Sequence, residues 1–400
     1  MISTQTLQIG VGASTQRDYI LAVKEAMQEA RTTIHNTTID LTIVFASGEF
    51  AHPNTLKIIK DLVGTSAIIG CSTGGVITTA GVLRFGIAIA LICIPERAHI
   101  TTADIDSVRI RSALKAGEEL GEKLVSKFSG VTRDFGLIFY DGLMAENWNF
   151  ITGLQEKLGI SFPLIAAAAS DNLEFAKTSV FHNDRILQDA ASGIVFGGKI
   201  MCGFGVEHGW NPIGKPRTVT KSIHNVVYEI DGVSATNVYE DYFACDLERL
   251  KKETRRISIL YPIGMPLPDE KEILLRNILS IENNGSLIFQ GNVPEGSSIR
   301  LMIGTKESCL EATKKAAISA QQRLLGSPCS LVFVFDSMSR NALLGRDAKK
   351  EIQIIREVFG PDVPIIGACT FGEQAPLESI NYKGKTYLHN QTITVLAIGG

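Results

Sequence analysis

Long apolar runs are missing from this 400-residue chain: the longest, such as residues 85–94, reach about half the roughly 20 residues a membrane helix requires. The opening MISTQTLQIG has no basic stretch ahead of an apolar core, so no secretory leader is read there. Charge of one sign is missing too. Lys and Arg number 39 against 42 Asp and Glu, a formal net charge of -3, and the basic residues are dispersed. That leaves no cationic field for a polyanion, so nucleic acid is not an expected partner, nor is membrane insertion. The seven cysteines, Cys71, Cys93, Cys202, Cys245, Cys309, Cys329 and Cys369, are odd in number and contain no CxxC pair. Free thiols in a reducing cytoplasm are expected, and a structural zinc site is not. The seven histidines form no HxxxH or HExxH arrangement, so no metal and no cofactor is expected.

What is present is an ample core, with 45% apolar and 20% charged residues, in a chain longer than one core usually serves. It also repeats itself. An apolar run ends in a small-residue polar loop three times: 66–69 into GCSTGG at 70–75, 162–165 into AAAASDN at 166–172, and 363–366 into GACTFGE at 367–373. Each is preceded by another apolar run ending polar (41–50, 135–143, 330–340) and followed by a third (85–94, 193–201, 392–400). Between the first two runs lie stretches of helical spacing at 54–63, 146–158 and 346–359; Leu56, Ile59, Leu62 and Val63, for example, share one face. Further helices are read at 18–30, 112–128 and 308–325.

The module therefore reads strand, helix, strand, loop, strand, and the fold class is α/β. Strands buried on both faces and joined through a helix predict mostly parallel sheets, with the polar loops at the carboxyl edge where open α/β sheets hold ligands. From about 202 to 304 the character changes. Closely spaced strands and turns predict an inserted antiparallel segment in the C-terminal half, with 257–261 as one strand and Ser234 capping a helix to about Phe243. Two domains are expected, 1–233 and 234–400, with the boundary between about 218 and 248.

Several residues in these loops carry chemistry. In GCSTGG, Gly70, Gly74 and Gly75 permit close backbone approach, and Ser72 and Thr73 offer hydroxyls; the bland reading is a tight turn. The stretch lacks a P-loop lysine. Cys71 is either a buried thiol or a nucleophile. After the run at 330–335 come Asp336, Ser337 and Arg340, where the guanidinium could clasp a ligand carboxylate or form an ordinary ion pair. In the third loop Thr370, Gly372 and Glu373 are candidates, Glu373 for a ligand ammonium. Asp141 and Asp171 with Asn172 are candidates from the second module, or turn residues.

GCSTGG, the Asp141-Gly142 pair, PRTVT, EIDGVSA at 229–235, PEGSSIRL, the phenylalanine and arginine at 335 and 340, GACTFGEQAP at 367–376 and HNQT at 389–392 occur in the order seen in FIST domains. The chain resembles a FIST N domain followed by a FIST C domain over nearly its whole length. The resemblance implies a ligand-sensing module of signal-transduction proteins, with a small molecule such as an amino acid or small carboxylate as ligand. It adds His389 and Asn390 to the expected ligand contacts. The segment Asp336-Ser337-Met338-Ser339 departs from the small, cysteine-containing stretch often found before the arginine. An output through a separate signalling protein, or through a change of homo-oligomeric state, is expected. The competing reading is a thiol enzyme with Cys71 or Cys369 as nucleophile and His389 as base.

Overall fold

The computed structural model describes residues 7–35, 38–128, 130–267, 272–377 and 384–400. Three six-stranded sheets surround one core. The first runs Gln8–Ser14, Ile87–Cys93, Leu41–Ala46, Ala67–Ser72, Val180–His182, Arg185–Leu187. The second runs His99–Ile105, Ala191–Gly197, Arg133–Tyr140, Leu164–Ala168, Glu373–Pro376, Thr386–His389. The third runs Met201–Glu207, Ile393–Gly399, Cys329–Ser337, Ile365–Thr370, Val76–Thr78, Gly81–Leu83.

The threefold repeat is thus real, and each module gives away its hairpin. The first module's hairpin, Val76–Leu83, pairs with the third sheet; the second module's pairs with the first sheet; the third module's pairs with the second. This cyclic exchange ties the modules together through backbone hydrogen bonds.

The sheets are mixed, which corrects the expectation of mostly parallel ones. Each has a single parallel pair, Leu41–Ala46 with Ala67–Ser72 and its two counterparts. The module's other strands return antiparallel. Burial on both faces misled the reading because it has another cause here. The outer faces lie under helices, and the inner faces of all three sheets meet one another in a shared centre. There Phe45, Phe139 and Phe335, at equivalent positions of the three parallel pairs, pack edge to face with centroids 5.4, 6.0 and 6.0 Å apart.

Helices form where the spacing placed them. Asp18 caps Tyr19–Arg31 and Ser112 caps Ala113–Val125, each side chain accepting first-turn N–H groups. Residues 208–305 are inserted between the strand Met201–Glu207 and the helix Lys306–Arg323, which precede the third module as Gln8–Ser14 and Tyr19–Arg31 precede the first. They form a fully antiparallel fourth sheet around the long strand Trp210–Ile223. The chain passes residue 233 inside this sheet, where Val233–Ser234 pairs with Val226–Ile230. Residues 257–260 are not a strand but the end of helix Thr254–Leu260. Thr236 holds the N-cap position of helix Asn237–Phe243 without a side-chain capping bond; Ser234 donates instead to Gly285 O at 3.1 Å.

Candidate ligand site

The three polar loops converge as the repeat implied, but on one another. Thr73 Oγ1 and Ser170 Oγ donate to Cys369 O at 2.7 and 2.5 Å. Gly74 N–H donates to Ser170 Oγ at 3.0 Å, and Cys369 N–H to Gly75 O at 2.8 Å. Ser72 Oγ accepts from Ser179 N–H, and Gly372 O from Ala168 N–H, both at 2.9 Å. The glycines serve this packing. A Cβ on Gly70 would lie 1.8 Å from Val44 O, on Gly74 2.3 Å from Asp171 O, and on Gly75 2.8 Å from Cys369 Sγ. The hydroxyls and amides of GCSTGG therefore join modules, with Gly70, Ser72, Thr73, Gly74 and Gly75 bonded or packed against the neighbouring loops.

Arg340 is likewise spent. It is fully buried, and Nε donates to Asp336 Oδ1 at 2.8 Å. Nη2 lies 2.5 Å from Glu351 Oε1 and 3.0 Å from both Thr313 Oγ1 and Cys309 O, while Nη1 donates to His208 O. The ligand-carboxylate fork expected here is corrected to an internal one, because its donors already face protein acceptors. Ser337 caps the short helix Met338–Leu344.

Glu373 is also fully buried. Thr370 donates to its Oε1, and Thr392 donates to Oε2 from its hydroxyl at 2.6 Å and its N–H at 3.3 Å. Burial pushes its carboxyl up to about 7 against these donors. Burial, then the neighbouring Glu351, hold Asp336 well above the usual carboxylate range although Arg340 opposes them. Its Oδ2 has no partner among the described residues.

The other candidates are internal as well. Asp141 accepts from Leu143 and Asp189 N–H and from Thr178, and Asp171 accepts four N–H groups from residues 174–177, so both organise turns. His389 Nε2 bonds Ala375 O at 3.0 Å, and Asn390 Oδ1 accepts from Asn277 N–H. Burial lowers His389 and His208 to about 4, so both are neutral imidazoles. Cys71 and Cys369 are completely buried, and desolvation raises both thiols far from thiolate formation. Among the described residues no histidine is hydrogen-bonded to either, so the thiol-enzyme reading gains no geometry. Nor do three His, Cys, Asp or Glu residues come together to hold a metal there.

The open site lies where the modules meet edge to edge. The outer strand of each sheet, Gln8–Ser14, His99–Ile105 or Met201–Glu207, lies at the edge opposite that sheet's own exchanged hairpin, and by the threefold repeat each borders a hairpin of another sheet, giving three equivalent clefts. In the second, Asp104 binds Arg185 at 2.9 Å and His182 at 2.8 Å, and Asp106 binds Arg185 at 2.9 Å, closing it. In the third, the inserted sheet covers the hairpin, with Arg276 donating to Leu388 O at 3.1 Å. In the first, the register puts Ala13, Thr78 and Gly81 where the second has Asp104, His182 and Arg185. Among the described residues no ion pair or hydrogen bond bridges it, and a cavity of about 510 Å³ lies there.

That cavity is dipolar. On one side stand Glu25 and Glu29 of helix Tyr19–Arg31, whose Oε2 atoms accept from Ser14 Oγ at 2.5 Å and Ala13 N–H at 2.8 Å. On the other stands Arg356 of helix Ala348–Phe359, bonded through Nη2 to Pro361 O at 3.4 Å while its buried Nε has no partner among the described residues. Sequence reading passed over these residues because they lie on helices and an edge strand, away from the glycine-rich loops. Aligning LQIGVGAS with HITTADI would have shown small residues replacing an acidic one.

The fold is a threefold α/β core with an inserted antiparallel sheet. The FIST N domain model matches residues 40–233 and the FIST C domain model residues 235–376, and the chain belongs to the FIST family. The family's domains are associated with sensing in signal transduction. An uncharacterised protein of Mycobacterium tuberculosis is 23% identical over 387 residues, covering 94% of this chain and 96% of its own length. An uncharacterised protein of Methanocaldococcus jannaschii is 23% identical over 307 residues; the match takes 71% of this chain and 57% of that longer relative. A chorismatase crystal structure aligns over the whole of both chains at 7% identity with a TM-score of 0.37, too low to carry an argument.

Proposed function

We propose that this FIST protein is a cytoplasmic sensor whose small ligand, an amino acid or small carboxylate, sits in the cleft between the first and third modules. The observation that carries the reading is the contrast among equivalent clefts: one is closed by ion pairs, one is covered by the inserted sheet, and one stays open. A guanidinium facing two carboxylates suits a dipolar molecule, its carboxylate on Arg356 and its amino group toward Glu25 and Glu29. The signal passes to a separate protein or to a change in self-association.

A thermal-shift panel of amino acids and small carboxylates tests this. A ligand at about a hundred times its Kd stabilises the protein by about 2.7 kcal/mol. The shift should vanish in Ala13→Asp/Ala80→Arg, which sets opposite charges on two residues that line the cleft from its two sides. It should weaken in Arg356→Lys, since an ammonium does not reproduce a two-pronged contact. Absence of any shift, or a shift that survives in the closed variant, would overturn the site.

A further inference from the structure

Between Ile213 and Arg217 the strand Trp210–Ile223 loses register with Ser298–Gly304, so Gly214, Lys215 and Pro216 stand outside the ladder. The irregularity opens the core of the fourth sheet. A cavity of about 270 Å³ lies there, lined by Val238, Ile263, Ile299 and Leu301, all of them otherwise buried in that core. Its rim is cationic. Arg217 is held by Asp231 at 3.3 Å and Asp241 at 4.0 Å. Lys215 and Arg300, also at the rim, have no ion-pair or hydrogen-bond partner among the described residues.

We infer that this opening is a second binding site, separate from the cleft, for an amphiphilic carboxylate: an unbranched apolar chain ending in a single anionic head. The chain takes the aliphatic lining, where removing methylene groups from water supplies the driving force. The head takes the two uncompensated cations, whose bonds to a carboxylate are charge-assisted. A neutral amphiphile leaves those cations unanswered, and a short carboxylate leaves the lining empty, so both halves are needed.

Calorimetric titration of the full chain with decanoate, decanol and butyrate, each below its aggregation limit, tests this. Decanoate should bind at one saturable site, decanol at least about tenfold more weakly, and butyrate not measurably. Lys215→Gln/Arg300→Gln should lower decanoate affinity about tenfold or more while leaving decanol unchanged. Lys215 is exposed and Arg300 half-buried, and neither side chain makes an ion pair or hydrogen bond among the described residues, so the fold is retained. The closed-cleft variant Ala13→Asp/Ala80→Arg should bind decanoate as the parent does, which keeps this site distinct from the first. Decanoate affinity unaltered in the double variant, equal affinity for decanol, or unfolding by decanoate without saturation would overturn the inference.

Discussion

Arg340 shows how one side chain reads differently in sequence and in space. A guanidinium after a strand suggests a ligand clamp, yet its neighbours at 309, 313 and 351 come from other helices, and they use its donors. Removing one partner of such a buried pair leaves uncompensated charge. Arg340→Met should therefore destabilise the fold by about 3–5 kcal/mol, measured by urea unfolding, and Arg340→Lys should not restore it, because one ammonium cannot reach acceptors spread around a planar fork. Glu373 carries a second prediction. Its carboxyl is raised from 4.5 to about 7, so the folded state favours the protonated form. The stability this contributes is present below about pH 4.5 and is lost as pH rises through 7, a change of about 3 kcal/mol. His208 and His389 act at the other end: lowered from 6.5 to about 4, they stabilise above pH 6.5 and lose that contribution as pH falls toward 4. Between about pH 4.5 and 6.5 the two histidines gain stability with rising pH faster than Glu373 loses it, so urea midpoints should rise over that range, and more steeply in Glu373→Gln. An identical slope in the variant would assign the loss elsewhere, Asp336 being the next candidate.

At the scale of elements, the helices were legible and the strand directions were not. Period is a local property, and the helices Tyr19–Arg31 and Ala113–Val125 fall where it places them, whereas the cap read at Ser234 is not met. Whether the third apolar run of a module returns parallel or antiparallel depends on what covers it, and residue patterns are the same when either a helix or another sheet does the covering. Close contact between helices was also hidden. Gly117 and Gly153 look like helix-weakening residues, but a Cβ on Gly117 would lie 2.0 Å from Phe150 O and one on Gly153 2.1 Å from Leu114 O. They let Ala113–Val125 and Asn147–Leu158 touch backbone to backbone. Ala at either site improves helix propensity by up to about 1 kcal/mol, yet Gly117→Ala and Gly153→Ala should each destabilise by about 1–3 kcal/mol, because overpacking dominates. Higher thermal stability in either variant would contradict the close approach.

For the molecule as a whole, the hairpin exchange makes each sheet depend on a distant stretch of chain. The second sheet is completed by residues 373–389, and the third begins at Met201 although its remaining core strands lie beyond 328. Fragments 1–233 and 234–400 expressed separately should each show weak or no cooperative unfolding, and co-expression should recover a single transition followed by circular dichroism. Two independently cooperative halves would refute that interdependence. The amino-acid sequence by itself determined the threefold repeat, the helices and the family, because all of these rest on local pattern and order along the chain. The tertiary structure alone decided that the polar loops bond one another, that Arg340 is satisfied internally, and that of three equivalent clefts the one lined by Ala13, Thr78 and Arg356 stays open. Those outcomes depend on which strand edges and side chains from hundreds of residues apart face each other, and no local periodicity encodes that.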